Sequence, residues 1–337
     1  MLSIHWFAGI AVASTLSLMP DVAAAKPKPA PVAEPEVLVP LDPNQGQLPE
    51  SITTDEDGNI YLSIGNTIGI IDPDGNYSTF ATLPIPTGGF VTGLKFGDDG
   101  YLYAGTGAFS TDPSGAFVYR VSPDGEVIEQ CAALPANGFP NDLAFDNKGN
   151  LYVTDPFLGQ IYKIDGCGGD VSVFLDDPLL DPNTGDPFLG ISPFGVDGIA
   201  FDKNYKNLYV GNLDYGRIVK IELEKNGTAG DVDVFYENVD LIGGVDGIAF
   251  DKQGTLYLAV HGQERIVAID KKGKATIVAE GGELNQPSSL VFGATKNDKN
   301  TLYISNFSIL SATGFRPGPP TPGLLTLDVK HGGQSLP

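Results

Sequence analysis

Four side chains that can offer oxygen ligands recur in one register along the sequence. Glu50, Asn141 and Asp246 each lie eleven residues before a tyrosine preceded by Ile or Leu, and Asp197 lies twelve residues before such a tyrosine. If the repeats surround a common axis, these side chains converge. Three converging carboxylates repel one another unless a cation or protons neutralise them. The pattern therefore predicts a site for a hard divalent cation.

Calcium is the expected ion, because Ca²⁺ accepts about six to eight oxygen ligands in a flexible geometry. Mg²⁺ and Mn²⁺ are the other hard cations that such a donor set would suit. Zinc is disfavoured, since only His261 and His331 remain beyond the N-terminal segment and the cysteines lie elsewhere. The simpler alternative treats these residues as turn formers at strand starts, but it does not account for Glu50, whose residue type is a poor turn former.

The tyrosines themselves mark a sixfold repeat. They are separated by 42 to 57 residues, and each repeat holds short β-branched or aromatic runs between Gly, Asn and Asp turns. That period is typical of propeller blades. The sequence therefore predicts an all-β fold, a six-bladed β-propeller with four antiparallel strands per blade. The marker residues are Tyr61, Tyr103, Tyr152, Tyr209, Tyr257 and Tyr303.

The last repeat has room for only three strands. The apolar run from Glu36 to Leu41 precedes the first repeat, so we predict that it supplies the fourth strand and closes the ring. Residues 36–337 then form a single propeller domain. Two separate β-domains are the alternative, which six coupled repeats disfavour.

The N-terminal region predicts export. Residues 1–25 combine a short apolar stretch with Ala23-Ala24-Ala25, which is typical of a cleaved signal peptide, and residues 26–35 form a proline-rich tether. A periplasmic or extracellular protein without stable membrane insertion is expected, with an uncleaved anchor as the alternative. Export would permit a disulfide between Cys131 and Cys167, and two free thiols remain the other possibility.

Charge limits the partners. The net charge of −22 disfavours binding to nucleic acid or acidic membranes and favours cations and neutral or cationic small molecules. Part of this charge reflects Asp-Gly turns, so acidity by itself does not indicate a metal. Motifs for serine hydrolases and phosphate-binding loops are absent from the sequence. We expect a monomer that acts on a small molecule.

The residues around the four ligands resemble those of a known family. The segments Pro49-Glu50, Pro140-Asn141-Asp142-Leu143, Val196-Asp197-Gly198-Ile199 and Val245-Asp246-Gly247-Ile248 resemble the senescence marker protein, gluconolactonase and luciferin-regenerating enzyme family. The resemblance implies a six-bladed propeller with one divalent cation, often calcium, bound at the channel mouth by a Glu, two Asn and an Asp. Glu50, Asn141 and Asp246 match this set, and Asp197 replaces the second Asn.

The resemblance also implies hydrolysis of a lactone or related ester, with the cation acting on the carbonyl oxygen. Asp246 would be a general base, a nucleophile or only a ligand, and His261 would be an acid, a base or a surface residue without a role. Phe139 stands where sugar-lactone hydrolysing members commonly carry Arg, which favours a less polar substrate. The alternative function is a non-catalytic propeller that binds a ligand or a partner around a structural calcium ion.

Overall fold

Repeated strand and turn signals organise the chain into six antiparallel sheets. The protein was analysed as a computed structural model that describes residues 33–109 and 115–334. The predicted signal peptide and most of the predicted tether lie outside these residues. In chain order, strands β2–β21 form five sheets of four consecutive strands, and β22–β24 join β1 in the sixth, as the sequence predicts.

The strands group by blade. Blade 1 contains β2 (Pro49–Thr54), β3 (Ile60–Ile64), β4 (Thr67–Ile71) and β5 (Tyr77–Thr82). Blade 2 contains β6 (Gly89–Phe96), β7 (Leu102–Ala108), β8 (Phe117–Val121) and β9 (Ile128–Ala133). Blade 3 contains β10 (Leu143–Phe145), β11 (Leu151–Asp155), β12 (Gln160–Ile164) and β13 (Val171–Asp176).

Blade 4 contains β14 (Val196–Phe201), β15 (Asn207–Asn212), β16 (Arg217–Leu223) and β17 (Ala229–Glu237). Blade 5 contains β18 (Val245–Phe250), β19 (Leu256–Val260), β20 (Arg265–Ile269) and β21 (Ala275–Glu280). Blade 6 contains β22 (Pro287–Phe292), β23 (Thr301–Asn306), β24 (Gly323–Asp328) and β1 (Glu36–Pro40). Two single-turn helices, α1 (Val239–Ile242) and α2 (Ile309–Ala312), lie in loops. No helix in the described ranges is long and apolar enough to cross a membrane.

The predicted ring closure is confirmed. Strand β1 pairs antiparallel with β24, from Glu36 opposite Thr326 to Pro40 opposite Gly323. The strand is one residue shorter than predicted, although the Leu41 amide still donates to the Pro322 carbonyl at 3.0 Å. This pairing covers an edge of β24 that would otherwise expose a row of unpaired backbone groups.

The repeated tyrosines pack the blades together. In five interfaces, the tyrosine of one blade meets edge-on the phenylalanine that ends the first strand of the next blade. The pairs are Tyr61–Phe96, Tyr103–Phe145, Tyr152–Phe201, Tyr209–Phe250 and Tyr257–Phe292, with ring centroids 5.0 to 5.4 Å apart. Such T-shaped contacts stabilise beyond the burial of apolar area alone. At the closure, Thr54 takes the phenylalanine position and its hydroxyl donates to the Phe292 carbonyl at 3.3 Å.

A disulfide joins two neighbouring blades. Cys131 in β9 is bonded to Cys167, which lies in the turn between β12 and β13. The Gly168 amide beside it donates to the Cys131 carbonyl at 3.0 Å. The bridge therefore links the outermost strand of blade 2 to the outer turn of blade 3, and the two-thiol alternative does not hold.

We expect loss of β1 to destabilise the ring. A chain that begins at residue 42 should melt on the order of 5 to 10 °C below one that begins at residue 33, because the β24 edge loses its backbone partners. Thermal melts followed by circular dichroism measure the difference. Equal melting temperatures would show that β1 does not close the ring.

Replacing both cysteines tests the disulfide. The bond joins residues 36 positions apart, so the double variant Cys131→Ser, Cys167→Ser should lose about 3 to 4 kcal/mol of unfolding free energy by relaxing the unfolded chain. Urea denaturation measures this loss. Reduced wild-type protein is the matched control and should denature like the variant.

Candidate functional site

The first strands of the six blades surround the central channel, and each contacts the first strands of both neighbouring blades. The predicted ligands all lie at the same end of these strands. Glu50 is the second residue of β2, Asp197 and Asp246 are the second residues of β14 and β18, and Asn141 lies just before β10. Glu50, Asn141 and Asp197 are buried, with 7%, 6% and 1% of their surfaces exposed.

Two glycines allow these strands to approach closely. A Cβ atom at Gly198 would lie 2.2 Å from the Asp246 carbonyl oxygen, and one at Gly93 would lie 2.2 Å from the Asn141 carbonyl oxygen. Any larger residue would push the neighbouring strand away from the axis. The glycines therefore set how near to one another the ligand residues of successive blades can lie.

In blades 2 and 6 the neutral residues Thr92 and Ser288 occupy the position that corresponds to Glu50, and they hold the backbone there. The Thr92 hydroxyl donates to the Pro140 carbonyl at 2.6 Å, directly before Asn141. The Ser288 hydroxyl donates to the Glu50 carbonyl, and the Ser305 hydroxyl donates to the same carbonyl at 2.9 Å. Thr92 and Ser288 thus bond to the backbone at or next to a predicted ligand.

The buried carboxyl groups interact strongly. Burial raises the pKa of Glu50 well above its ordinary value, and the charges of Asp197 and Asp142 add to this. Burial also raises the pKa of Asp197 well above its usual range, as do the charges of Asp142 and Asp214. For Asp246, burial and then the charges of Asp197 and Glu50 raise the pKa in the same way. Without a cation, burial and mutual repulsion therefore make these three carboxyl groups harder to ionise than exposed ones.

The donor set fits a hard divalent cation. Asp197 Oδ1 is buried and has no hydrogen-bond partner, although a buried carboxylate oxygen normally has one. Two further carboxylates and one amide oxygen lie at the same end of the channel. Across residues 33–109 and 115–334, no three His, Cys, Asp or Glu side chains form a ready metal cluster by themselves. The assignment thus depends on the shared register, the unpartnered oxygen and the mutual repulsion of the carboxylates.

Asp142 is a half-buried carboxyl that the sequence patterns did not single out. Its Oδ2 accepts from the Ile199 amide of the next blade at 3.0 Å, and its Oδ1 accepts from the Leu143 amide at 2.8 Å. In blade 1 the corresponding Ser51 hydroxyl oxygen accepts from the Leu94 amide of the next blade at 3.1 Å. Asp142 thus links two blades. The sequence does mark this residue. At the equivalent position, directly after each ligand position, the other five blades carry Ser or Gly, and Asp142 is the one charged residue.

His261 lies beside the predicted base. Its Nδ1 is 3.8 Å from Asp246 Oδ2, and it is buried without a hydrogen-bond partner. Burial lowers the pKa of His261 to about 3, with a further contribution from the positive charge of Arg316. The imidazole is therefore neutral at physiological pH, so the contact with Asp246 is not an ion pair. The sequence reasoning did not identify Arg316, which stands in the loop after α2.

An aromatic cluster surrounds Phe139, two residues before Asn141. Its core consists of Phe139, Phe194 and Leu213, with Phe90, Phe157, Phe188 and Leu189 packed against it. The sequence Asp-Pro-Phe-Leu-Gly occurs twice, at residues 155–159 and 186–190, and the two copies contribute Phe157 and Phe188 to the cluster. Asp155 accepts from the amides of Phe139 and Phe157 at 3.0 and 3.1 Å, and Asp214 accepts from the Phe188 and Phe194 amides, each at 2.9 Å. Two buried carboxylates thus hold the backbone of the cluster, Asp155 from the first segment and Asp214 from outside the second.

The sequence of residues 139–308 matches the family described as the SMP-30/Gluconolactonase/LRE-like region. This segment spans half of the chain and carries three of the four predicted ligands. The chain belongs to this family. The membership agrees with the resemblance found at the ligand segments, and Glu50 lies outside the matched segment.

Curated relatives and solved structures agree with the family. The lactonase drp35 of Staphylococcus haemolyticus strain JCSC1435 is 26% identical over 238 residues, which cover 68% of each chain. The lactonase drp35 of Staphylococcus epidermidis strain ATCC 12228 is 29% identical over 188 residues, and the match covers 53% of each chain. The calcium-binding protein regucalcin of Agrobacterium tumefaciens strain C58 superposes with a TM-score of 0.67 at 18% identity, covering 90% of this chain and 97% of that one. The last likeness concerns the fold.

A pH series tests the buried charge. Because the folded-state pKa of Asp197 is raised, the metal-free wild type loses stability as pH rises above the ordinary carboxyl pKa of about 4. Asp197→Asn removes this loss, so in chelator the variant should gain stability relative to wild type between pH 5 and pH 8. Urea denaturation measures both proteins.

The opposite pH dependence from His261 is present in both proteins and cancels in the comparison. Asp231→Asn changes an exposed carboxylate and serves as the matched control. A wild-type minus variant difference that does not change with pH would contradict the assigned electrostatics.

Proposed function

We propose that this protein is a divalent-metal-dependent hydrolase of lactones or related esters, with calcium as the metal. One observation carries the proposal: the unpartnered Asp197 oxygen lies in the same register as Glu50, Asn141 and Asp246 in a chain of this family. The names of the curated relatives, which are lactonases, support the reaction class.

Glu50, Asn141, Asp197 and Asp246 would hold the cation. A bound divalent ion would supply Lewis acidity toward the carbonyl oxygen of the substrate, a contribution of several kcal/mol to transition-state stabilisation. The three carboxylates carry a formal charge of −3. This excess of negative charge favours tight cation binding and weakens the polarisation of a bound carbonyl group.

Asp246 is the residue that we assign as general base. Its side chain is 13% exposed and is the least buried of the three carboxylates, so a water molecule can reach it. His261 contacts it as a neutral imidazole, which can orient the carboxylate or donate a hydrogen bond to the substrate. The backbone bond from Gly247 stabilises the charged form of Asp246 against the effect of burial on its pKa.

Phe139 and its cluster favour a substrate that is less polar than a sugar lactone. The ring of Phe139 lies 4.8 Å from that of Phe157 and 5.2 Å from that of Phe109, measured between centroids. Phe139 itself is buried, whereas Phe109 is exposed and offers apolar contact without a side-chain hydrogen-bond donor. The family position that commonly carries Arg therefore provides no fixed donor for a hydroxylated substrate in this chain.

A non-catalytic, ligand-binding propeller is the second candidate. Asp197 in place of the second Asn and Phe139 in place of Arg both favour it, because the first strengthens metal binding and the second removes a polar contact. In that case the ion would be structural.

We also propose that the protein is exported to the periplasm or the extracellular space. The disulfide supports this, because such bonds persist mainly in oxidising compartments. The signal-like residues 1–25 support it independently.

Turnover of a lactone and ester panel tests the function. We expect hydrolysis with calcium and none in chelator. Glu50→Gln should lower kcat/KM at least about a hundredfold at fixed calcium, because the donor set loses one negative charge at a buried position. Asp246→Asn should keep calcium binding, measured by titration calorimetry, yet lower kcat by about 10² to 10⁴.

The exposed Asp240→Asn in α1 is the matched control and should behave like wild type. Tight calcium binding without turnover of any panel member would favour the non-catalytic candidate. Full activity in Asp246→Asn would remove Asp246 as the base while leaving the hydrolase proposal in place.

A further inference from the structure

One lysine interrupts a column of small residues along the channel. The column consists of the residue three positions after Glu50 and its equivalent in each of the other five blades. These residues are Thr53, Lys95, Ala144, Ala200, Ala249 and Val291. Five of these side chains are small or aliphatic, whereas Lys95 in β6 is long and cationic. Nothing in the proposed hydrolysis uses it, since it lies further along the channel than the ligand residues.

Lys95 borders a cavity at one end of the central channel. This cavity has a volume of about 930 Å³ and lies at the end of the channel opposite to the ligand residues. The last residues of the six first strands line it, and five of them are the phenylalanines of the blade contacts. Gly333 and Gln334 cross its edge, where the Gln334 amide donates to the Phe250 carbonyl at 3.1 Å. Its volume suits a small organic molecule.

The ammonium group of Lys95 lacks a partner. Within residues 33–109 and 115–334, Lys95 forms no ion pair and no side-chain hydrogen bond. The nearest internal carboxylate, Asp142, already accepts two backbone amides. Burial lowers the pKa of Lys95, and the charge of Asp142 offsets this only in part. Lys95 is half-buried at the cavity wall, so a carboxylate that enters the cavity can replace solvent at its ammonium group with a charge-assisted hydrogen bond.

Thr53 provides a second unpartnered group at the same depth. It occupies the equivalent position in the adjacent strand β2, and its hydroxyl is buried without a hydrogen-bond partner. The ammonium and the hydroxyl belong to contacting strands. Thr53 itself is fully buried and does not line the cavity, so Lys95 is the donor that a ligand there would meet.

We propose that this cavity is a second binding site, which takes a small organic monocarboxylate with an apolar body. The carboxylate pairs with Lys95, and the body lies among the phenylalanines and aliphatic residues. A single internal cation favours a monoanion over a phosphate or a dicarboxylate. The apolar lining favours an aryl or alkyl acid over a hydrophilic one.

The charges at the cavity rim are compatible with an anionic ligand. Asp55, Glu56, Asp57 and Asp98 lie around the opening, together with the exposed Lys299. Most of these rim groups are solvent-exposed, so salt screens them over a Debye length of about 8 Å at physiological ionic strength. The ion pair with Lys95 forms deeper, where the effective dielectric constant is lower and the interaction stronger. Low salt should therefore slow or weaken binding, and physiological salt should permit it.

Titration of the full chain with 4-fluorobenzoate, followed by ¹⁹F NMR, tests the site. Chelator is present throughout, so that carboxylate binding at the calcium site does not contribute. Wild type should bind, and Lys95→Met should bind at least about tenfold more weakly, because a charge-assisted hydrogen bond is lost. Lys299→Met changes a rim lysine and should match wild type.

Lys95→Arg keeps the positive charge and should retain binding, and thermal melts verify that each variant is folded. 4-Fluorobenzyl alcohol lacks the charge and should bind to wild type more weakly than 4-fluorobenzoate does. Wild type and Lys95→Met should bind the alcohol with equal affinity. Equal affinity of wild type and Lys95→Met for 4-fluorobenzoate, or no binding by wild type, would overturn the proposal. Either result leaves the proposed hydrolysis untouched, since no metal is present.

Discussion

The close approach of the six inner strands is the constraint on which the other features depend. Glycines at two strand contacts and the edge-on pairs of tyrosine and phenylalanine hold neighbouring blades at short range. The same packing brings several carboxyl groups into a dry channel, where each raises the proton affinity of the others. A geometry that favours packing thus creates an electrostatic problem, and a bound cation is the simplest solution to it.

The two ends of the channel differ in the charge of the side chain that lacks a protein partner. At the end that holds the predicted ligands, several carboxyl groups lie close together and Asp197 Oδ1 has no hydrogen-bond partner. At the other, the ammonium of Lys95 is left without an acceptor in a cavity lined by aromatic rings. A propeller generates both ends from the same strands, because successive positions along each strand fall at different depths. One repeat can therefore support two sites of different chemistry.

Local patterns in the sequence predicted much of the fold. Tyrosine spacing identified the blades, and a missing fourth strand identified β1 as the closure, because both depend on short-range signals. Tertiary contacts were harder to predict. Asp142 looked like a neighbour of Asn141 until the structure showed it joined to Ile199, and only the fold brings the phenylalanines of the duplicated Asp-Pro-Phe-Leu-Gly segments together around Phe139. The pairing of Cys131 with Cys167 needed the distance between adjacent blades, which sequence spacing does not encode.

The pairing of β1 with β24 has a consequence for how the chain folds. Within the described residues, β1 is the first strand in chain order and completes a sheet whose other members are the last three, so the ring cannot close until nearly the whole propeller is available. Contacts between such distant segments slow folding. Slow closure would keep the chain loosely folded for longer, which would suit the export proposed above.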